Sequence, residues 1–103
     1  MLDFEQVPDP KALLLECLRM EFVRFSQTFN VLLAEHELSR LRALRRLAGS
    51  EYVPEFNYKK KGTIPCFCFT AHRSDDGPAL SFFASFEREV GGRIYLWIQE
   101  IER

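Results

Sequence analysis

Residues Ile64–Ile101 read IPCFCFTAHRSDDGPALSFFASFEREVGGRIYLWIQEI, and this stretch decides the fold. It divides into three runs rich in Phe, Ile, Tyr and Trp: IPCFCFTAHR, ALSFFASFERE and RIYLWIQEIE. Asp75-Asp76-Gly77-Pro78 separates the first two, and Gly91-Gly92 separates the last two. Aromatic and β-branched runs punctuated by such turn residues predict consecutive antiparallel strands. The upstream segment Tyr52–Lys61 predicts one more strand, placed at the sheet edge by Pro54, because proline cannot donate to a ladder. Lys59-Lys60-Lys61-Gly62-Thr63 supplies the hairpin turn between them. The expected sheet is a four-stranded meander in order 1-2-3-4.

Working outward to the N-terminus, residues 1–8 predict an extended arm. Asp9-Pro10 then predicts a helix start: the Asp side chain caps free N–H groups, and proline suits the first turn. Leu15, Leu18, Phe22, Phe25, Phe29 and Leu32 recur at alternating steps of three and four, a helical stripe. The stripe could serve as a short coiled-coil seam, but it fits better as a helix covering the sheet. Beyond Leu33 the same face would carry His36 and Arg40, so a break is expected between residues 30 and 37. A second helix follows to Ala48, with Leu38, Leu41, Leu44 and Leu47 inward and Gly49 as a left-handed stop. The expected architecture is α+β. A helical part, residues 9–49, packs on one face of a β-meander, residues 52–103, in one domain.

A two-residue Gly91-Gly92 loop pairs Val90 with Arg93 and Phe86 with Trp97. Phe82, Ala84, Phe86, Tyr95, Trp97 and Ile101 then share the helix-covered face with Phe67, Phe69, Phe56 and Tyr58. Cys66, Cys68, Thr70, His72, Ser81 and Ser85 fall on the other face together with Phe83, Ile94, Leu96 and Ile98. Apolar side chains on a face that helices do not cover indicate a protein partner. Phe83, Ile94, Leu96 and Ile98 are therefore the expected partner-binding residues.

The charge balance is −1 over 103 residues, which gives no global field for nucleic acid or membrane. The distribution is uneven. Residues 40–61 carry seven Lys or Arg against Glu51 and Glu55, a local net of +5. Arg42, Arg45, Arg46, Lys59, Lys60 and Lys61 form the expected surface for a phosphate backbone or an acidic partner, the alternative reading. Three cysteines make no disulfide framework, and reduced thiols point to the cytoplasm. Met1–Pro10 is acidic and carries no apolar leader. No apolar run approaches the roughly 20 residues a membrane span needs.

Chemistry has few footholds. Cys66 and Cys68 lie on the same face of a strand, but two thiols do not complete a structural zinc site. His72 stands roughly 13 Å past Cys68 at strand spacing, and Cys17 belongs to a helix. Asp75-Asp76 is turn chemistry. No phosphate loop or HExxH motif occurs. The expectation is a small non-enzymatic protein–protein interaction module without cofactor or metal, acting as a homodimer or as an adaptor, subunit or inhibitor of a larger assembly. A nucleic-acid-binding protein is the alternative, and a small enzyme or ligand-binding domain comes third.

Overall fold

A computed structural model describes residues 1–103, the side chain of Thr28 excepted. The fold is α+β, with three helices and a six-stranded, mostly antiparallel sheet. The helices are α1 (Pro10–Arg19), α2 (Gln27–Glu35) and α3 (Arg40–Ala48). The strands are β1 (Val23–Phe25), β2 (Glu51–Tyr52), β3 (Tyr58–Lys60), β4 (Ile64–Ala71), β5 (Leu80–Arg88) and β6 (Ile94–Glu102). The sheet order is β1-β6-β5-β4-β2, with β3 also on β4.

Three corrections concern the helical half. Helix α1 starts as expected, with the Asp9 carboxylate accepting from the Ala12 N–H at 3.1 Å and Pro10 in the first turn. The long stripe is not one helix, however. It breaks at Glu21, which takes φ +60°. The Glu21 N–H donates to the Leu18 carbonyl and the Phe22 N–H to the Cys17 carbonyl, the paired bonds of a Schellman motif. The chain leaves as β1, which runs parallel to β6 with Val23 beside Leu96 and Phe25 beside Ile98. Two helices thus become three, and four strands become six.

Helix α2 ends the same way. Glu37 at φ +52° donates to the Ala34 carbonyl and Leu38 donates to Leu33. The Ser39 hydroxyl then caps α3 by accepting from the Arg42 N–H. Gly49 is not left-handed, since its φ is −88°. The buried side of α3 is Ala43, Arg46 and Leu47, whereas Leu41 is 69% exposed. Residues 1–8 are not an extended arm. The Leu2 N–H donates to the Phe86 carbonyl at 2.7 Å, Asp3 caps a 3-10 turn over Phe4–Gln6, and Phe4 packs edge-on against Phe67.

The strand that was expected over residues 52–61 is split. Pro54 opens a 3-10 turn, Pro54–Phe56, between β2 and β3, and both pieces pair with the same edge of β4. Asn57 staples this strap down: its side-chain oxygen accepts from the Cys68 N–H at 2.9 Å, and its amide donates to the Tyr52 hydroxyl.

The register of β6 differs from expectation by one residue over its first half. Phe86 pairs with Leu96 and Ala84 with Ile98. The connecting loop is three residues, because the Glu89 N–H reaches the Arg93 carbonyl across Val90-Gly91-Gly92. A bulge at Gln99, opposite the Phe83/Ala84 step, returns Ile101 to Phe82. Leu96, Ile98 and Ile101 therefore point under the helices, where they meet Phe67, Phe69, Phe82, Phe86, Leu14, Phe29, Leu33 and Leu47. Leu96 and Ile98 have no exposed surface, and Ile94 packs against the same core. They are core residues, and their neighbours Tyr95 and Trp97 alternate onto the opposite face.

Candidate docking groove on the outer sheet face

The face turned away from the helices carries a second, smaller core. Cys66 and Cys68 from β4 and Phe83 from β5 are covered by Val53, Tyr58 and Ile64 of the strap and its hairpin. Tyr58 meets Phe83 edge-to-face at 5.3 Å between ring centroids. Strand β4 is thus buried on both sides, which is why its sequence is an almost unbroken apolar run.

Beside this small core lies a groove of about 580 Å³. The strap forms one wall with Phe56 and Tyr58. Cys68, Ser81 and Phe83 form the floor, and β6 contributes Glu100 and Glu102. Phe56 is 64% exposed, a large apolar ring held at the rim by the Pro54 turn. The floor is tied by a hydroxyl pair, Thr70 to Ser81 at 3.1 Å. Glu100 reaches the Lys60 ammonium at 3.8 Å. Among the described residues Glu102 makes no ion pair. The groove therefore combines an aromatic wall with two carboxylates, only one of which has a cation near it.

The thiols and the phenol on this face stay neutral. Burial raises the Cys66 and Cys68 thiols above their ordinary value. Burial also raises the Tyr58 phenol, and the Glu100 carboxylate beside it adds to the rise. On the far side of the sheet, burial against the core pushes Cys17 up from 9.0 to about 11. None of the three thiols is poised as a thiolate nucleophile. His72 does meet a carboxylate, Glu51 at 2.9 Å, but the two side chains are 72% and 68% exposed, so the pair stands on open surface. Among the described residues no group of three or more His, Cys, Asp or Glu could hold a metal ion, and no helix is long and apolar enough to cross a membrane.

The remainder of the outer face is closed by its own contacts. The Arg24 guanidinium lies 4.3 Å over the Tyr95 ring and bonds both oxygens of Glu89 at 2.9 and 3.0 Å. Phe22 packs on Tyr95 at 5.1 Å, with Arg93 over Phe22. Of the four residues expected to meet a partner, only Phe83 is on this face, and it lies beneath Tyr58.

The six basic residues are not brought together. Arg46 is buried and donates to the His72 and Pro78 carbonyls at 3.2 and 2.6 Å. Arg42 donates to the Asp76 carbonyl at 3.0 Å, so both clamp the β4–β5 loop. Gly77 belongs to this clamp: it sits at φ +139°, and a Cβ there would lie 3.0 Å from the Arg46 guanidinium. Arg45 faces solvent. Lys59 reaches Asp3 at 3.6 Å, Lys60 reaches Glu100, and Lys61 is exposed in the turn. Lys60 pairs with Ile64 at one end of β4, whereas Arg46 binds His72 just past the other end. Eight strand residues separate them by roughly 26 Å.

Glu100, Glu102 and Phe56 were missed as a unit by reading the sequence. The signal present was Ile101, correctly placed in the core, which puts its two glutamate neighbours on the opposite face. Compared with family models, with curated proteins and with solved structures, the chain matches none.

Proposed function

We propose that this chain is a non-enzymatic protein–protein interaction module that docks a basic segment of its partner into the outer-face groove. The observation that carries this reading is the juxtaposition of the exposed Phe56 ring with Glu100 and the unpaired Glu102. An aromatic wall accepts the aliphatic stem of Lys or Arg or stacks on a guanidinium, and a carboxylate at the far side takes its charge. Tyr58 of the wall and Phe83 of the floor are already packed edge-to-face, so little ordering accompanies binding. The neutral thiols and the open-surface His72–Glu51 pair favour binding over catalysis. The dispersal of the basic residues, with Arg46 spent on two backbone carbonyls, gives a phosphate backbone less to hold.

The test is titration of isotope-labelled protein with two peptide pools, one basic and aromatic, the other acidic and aromatic. Shifts confined to Phe56, Tyr58, Phe83 and Glu102 are expected with the basic pool alone. Glu102→Lys and Phe56→Ala each lose at least about tenfold in affinity, about 1.4 kcal/mol, while melting near the wild-type temperature. Equal binding of both pools, or full binding by Glu102→Lys, sinks the proposal.

A further inference from the structure

At one edge of the sheet, β1 is the last strand and lies beside a second cleft. This cleft, about 420 Å³, lies between α1 and α3 and is lined by Leu18, Val23, Leu41 and Leu44, with Glu21 and Arg45 among its walls. Leu41 is 69% exposed and Leu15, one turn before Leu18, is 43% exposed. The edge of β1 is open for a geometric reason. The Phe22 carbonyl accepts from the Leu96 N–H at 2.9 Å, and the Ser26 N–H donates to the Ile98 carbonyl at 3.2 Å. In a parallel pair alternate residues bond to the same neighbour. The even-numbered residues thus face β6, and the backbone groups of Val23 and Phe25 point off the sheet, where β1 is the last strand.

We infer that the chain forms a twofold-symmetric dimer through this cleft and the β1 edge, an interface separate from the outer-face groove. The occupant is a second copy because the cleft is complementary to itself. Glu21 comes from the α1–β1 junction and Arg45 from α3, and among the described residues neither makes an ion pair within the chain. A twofold axis brings the same patch onto itself, so Glu21 of each copy meets Arg45 of the other, flanking the joined leucines. An apolar centre ringed by charge is the usual anatomy of an interface. Antiparallel pairing of β1 with its copy places the two Arg24 residues opposite each other. Each is drawn back over Tyr95 by its own Glu89, which offsets their repulsion.

Light scattering after size exclusion tests this, using the full chain and the exposed-site variants Glu21→Arg and Arg45→Glu. The wild type is expected to elute as a dimer. Each variant, checked as folded by its melting curve, carries like charges across the interface and is expected to be monomeric. An equimolar mixture of the two variants restores opposite charges at both contacts and is expected to give a heterodimer. Glu102→Lys leaves the dimer intact, which separates this inference from the basic-segment reading. A wild type that stays monomeric at about 1 mM, an association weaker than about 4 kcal/mol, overturns it. So do single variants that dimerise like the wild type, or a mixture that stays monomeric.

Discussion

Two glutamates hold backbone conformations that glycine would take with less strain. Glu21 and Glu37 each occupy the left-handed position that closes a helix, at φ +60° and +52°. A residue with a Cβ in that region costs roughly 1–2 kcal/mol. The break at Glu37 falls within residues 30–37, where the change of face beyond Leu33 placed one, whereas the break at Glu21 was hard to read because helix ends are recognised by glycine and none stands there. The Ser39 hydroxyl, which accepts from the Arg42 N–H, marks where the chain re-enters a helix. Glu37→Gly is therefore expected to raise stability by about 0.5–1 kcal/mol, the relief of strain exceeding the extra freedom glycine gives the unfolded chain. Urea unfolding of the two proteins measures this. A destabilised variant would show that the Glu37 side chain contributes more than its backbone costs.

At the scale of elements, the hydrophobic alternation fixed strand identity but not strand register. β4, β5 and β6 lie where the apolar runs IPCFCFTAHR, ALSFFASFERE and RIYLWIQEIE placed them, and the pairing order of the meander is as expected. The register of β6 was inferred from a two-residue glycine loop, and the loop has three residues. The bulge at Gln99 then hid the error, because it restored the Phe82–Ile101 pair that both registers share. β1 was illegible for a different reason: Phe22 and Phe25 fit a helical stripe as well as this segment fits a strand, and its partner lies 73 residues further along the chain. Burial of Leu96 and Ile98, rather than the loop, holds β6 in place. Deleting Val90, whose side chain is fully solvent-exposed, leaves Gly91-Gly92 as a two-residue loop between the same pair, Glu89 and Arg93. Gly-Gly suits such a loop. The deletion is expected to change stability by less than about 1 kcal/mol, within the usual range for surface changes. Failure to fold would show that the loop length, not the buried face, dictates the register.

For the molecule as a whole, the sheet has two faces with different employment. One is the main core, closed by three helices and the N-terminal turn. The other is partly closed by the Tyr58 strap and otherwise left as an acidic, aromatic groove. The apolar surplus that suggested a partner is real, but most of it belongs to a core that the sheet and helices already complete. Adjacent residues of β6 therefore answer to opposite environments, and substitution in the core and at the rim of the groove separates folding from binding. Leu96→Asp places a carboxylate in the main core with no cation near it, which costs several kcal/mol. Against a total stability of about 5–15 kcal/mol, the variant is expected to lose cooperative unfolding or to melt far below the wild type. Phe56→Asp, at the rim of the groove, is expected to keep the wild-type melting temperature within a few degrees. Thermal unfolding of the two variants side by side decides the matter. If Leu96→Asp remains folded and changes only self-association, Leu96 faces outward and the observed register of the first half of β6 is wrong by one residue.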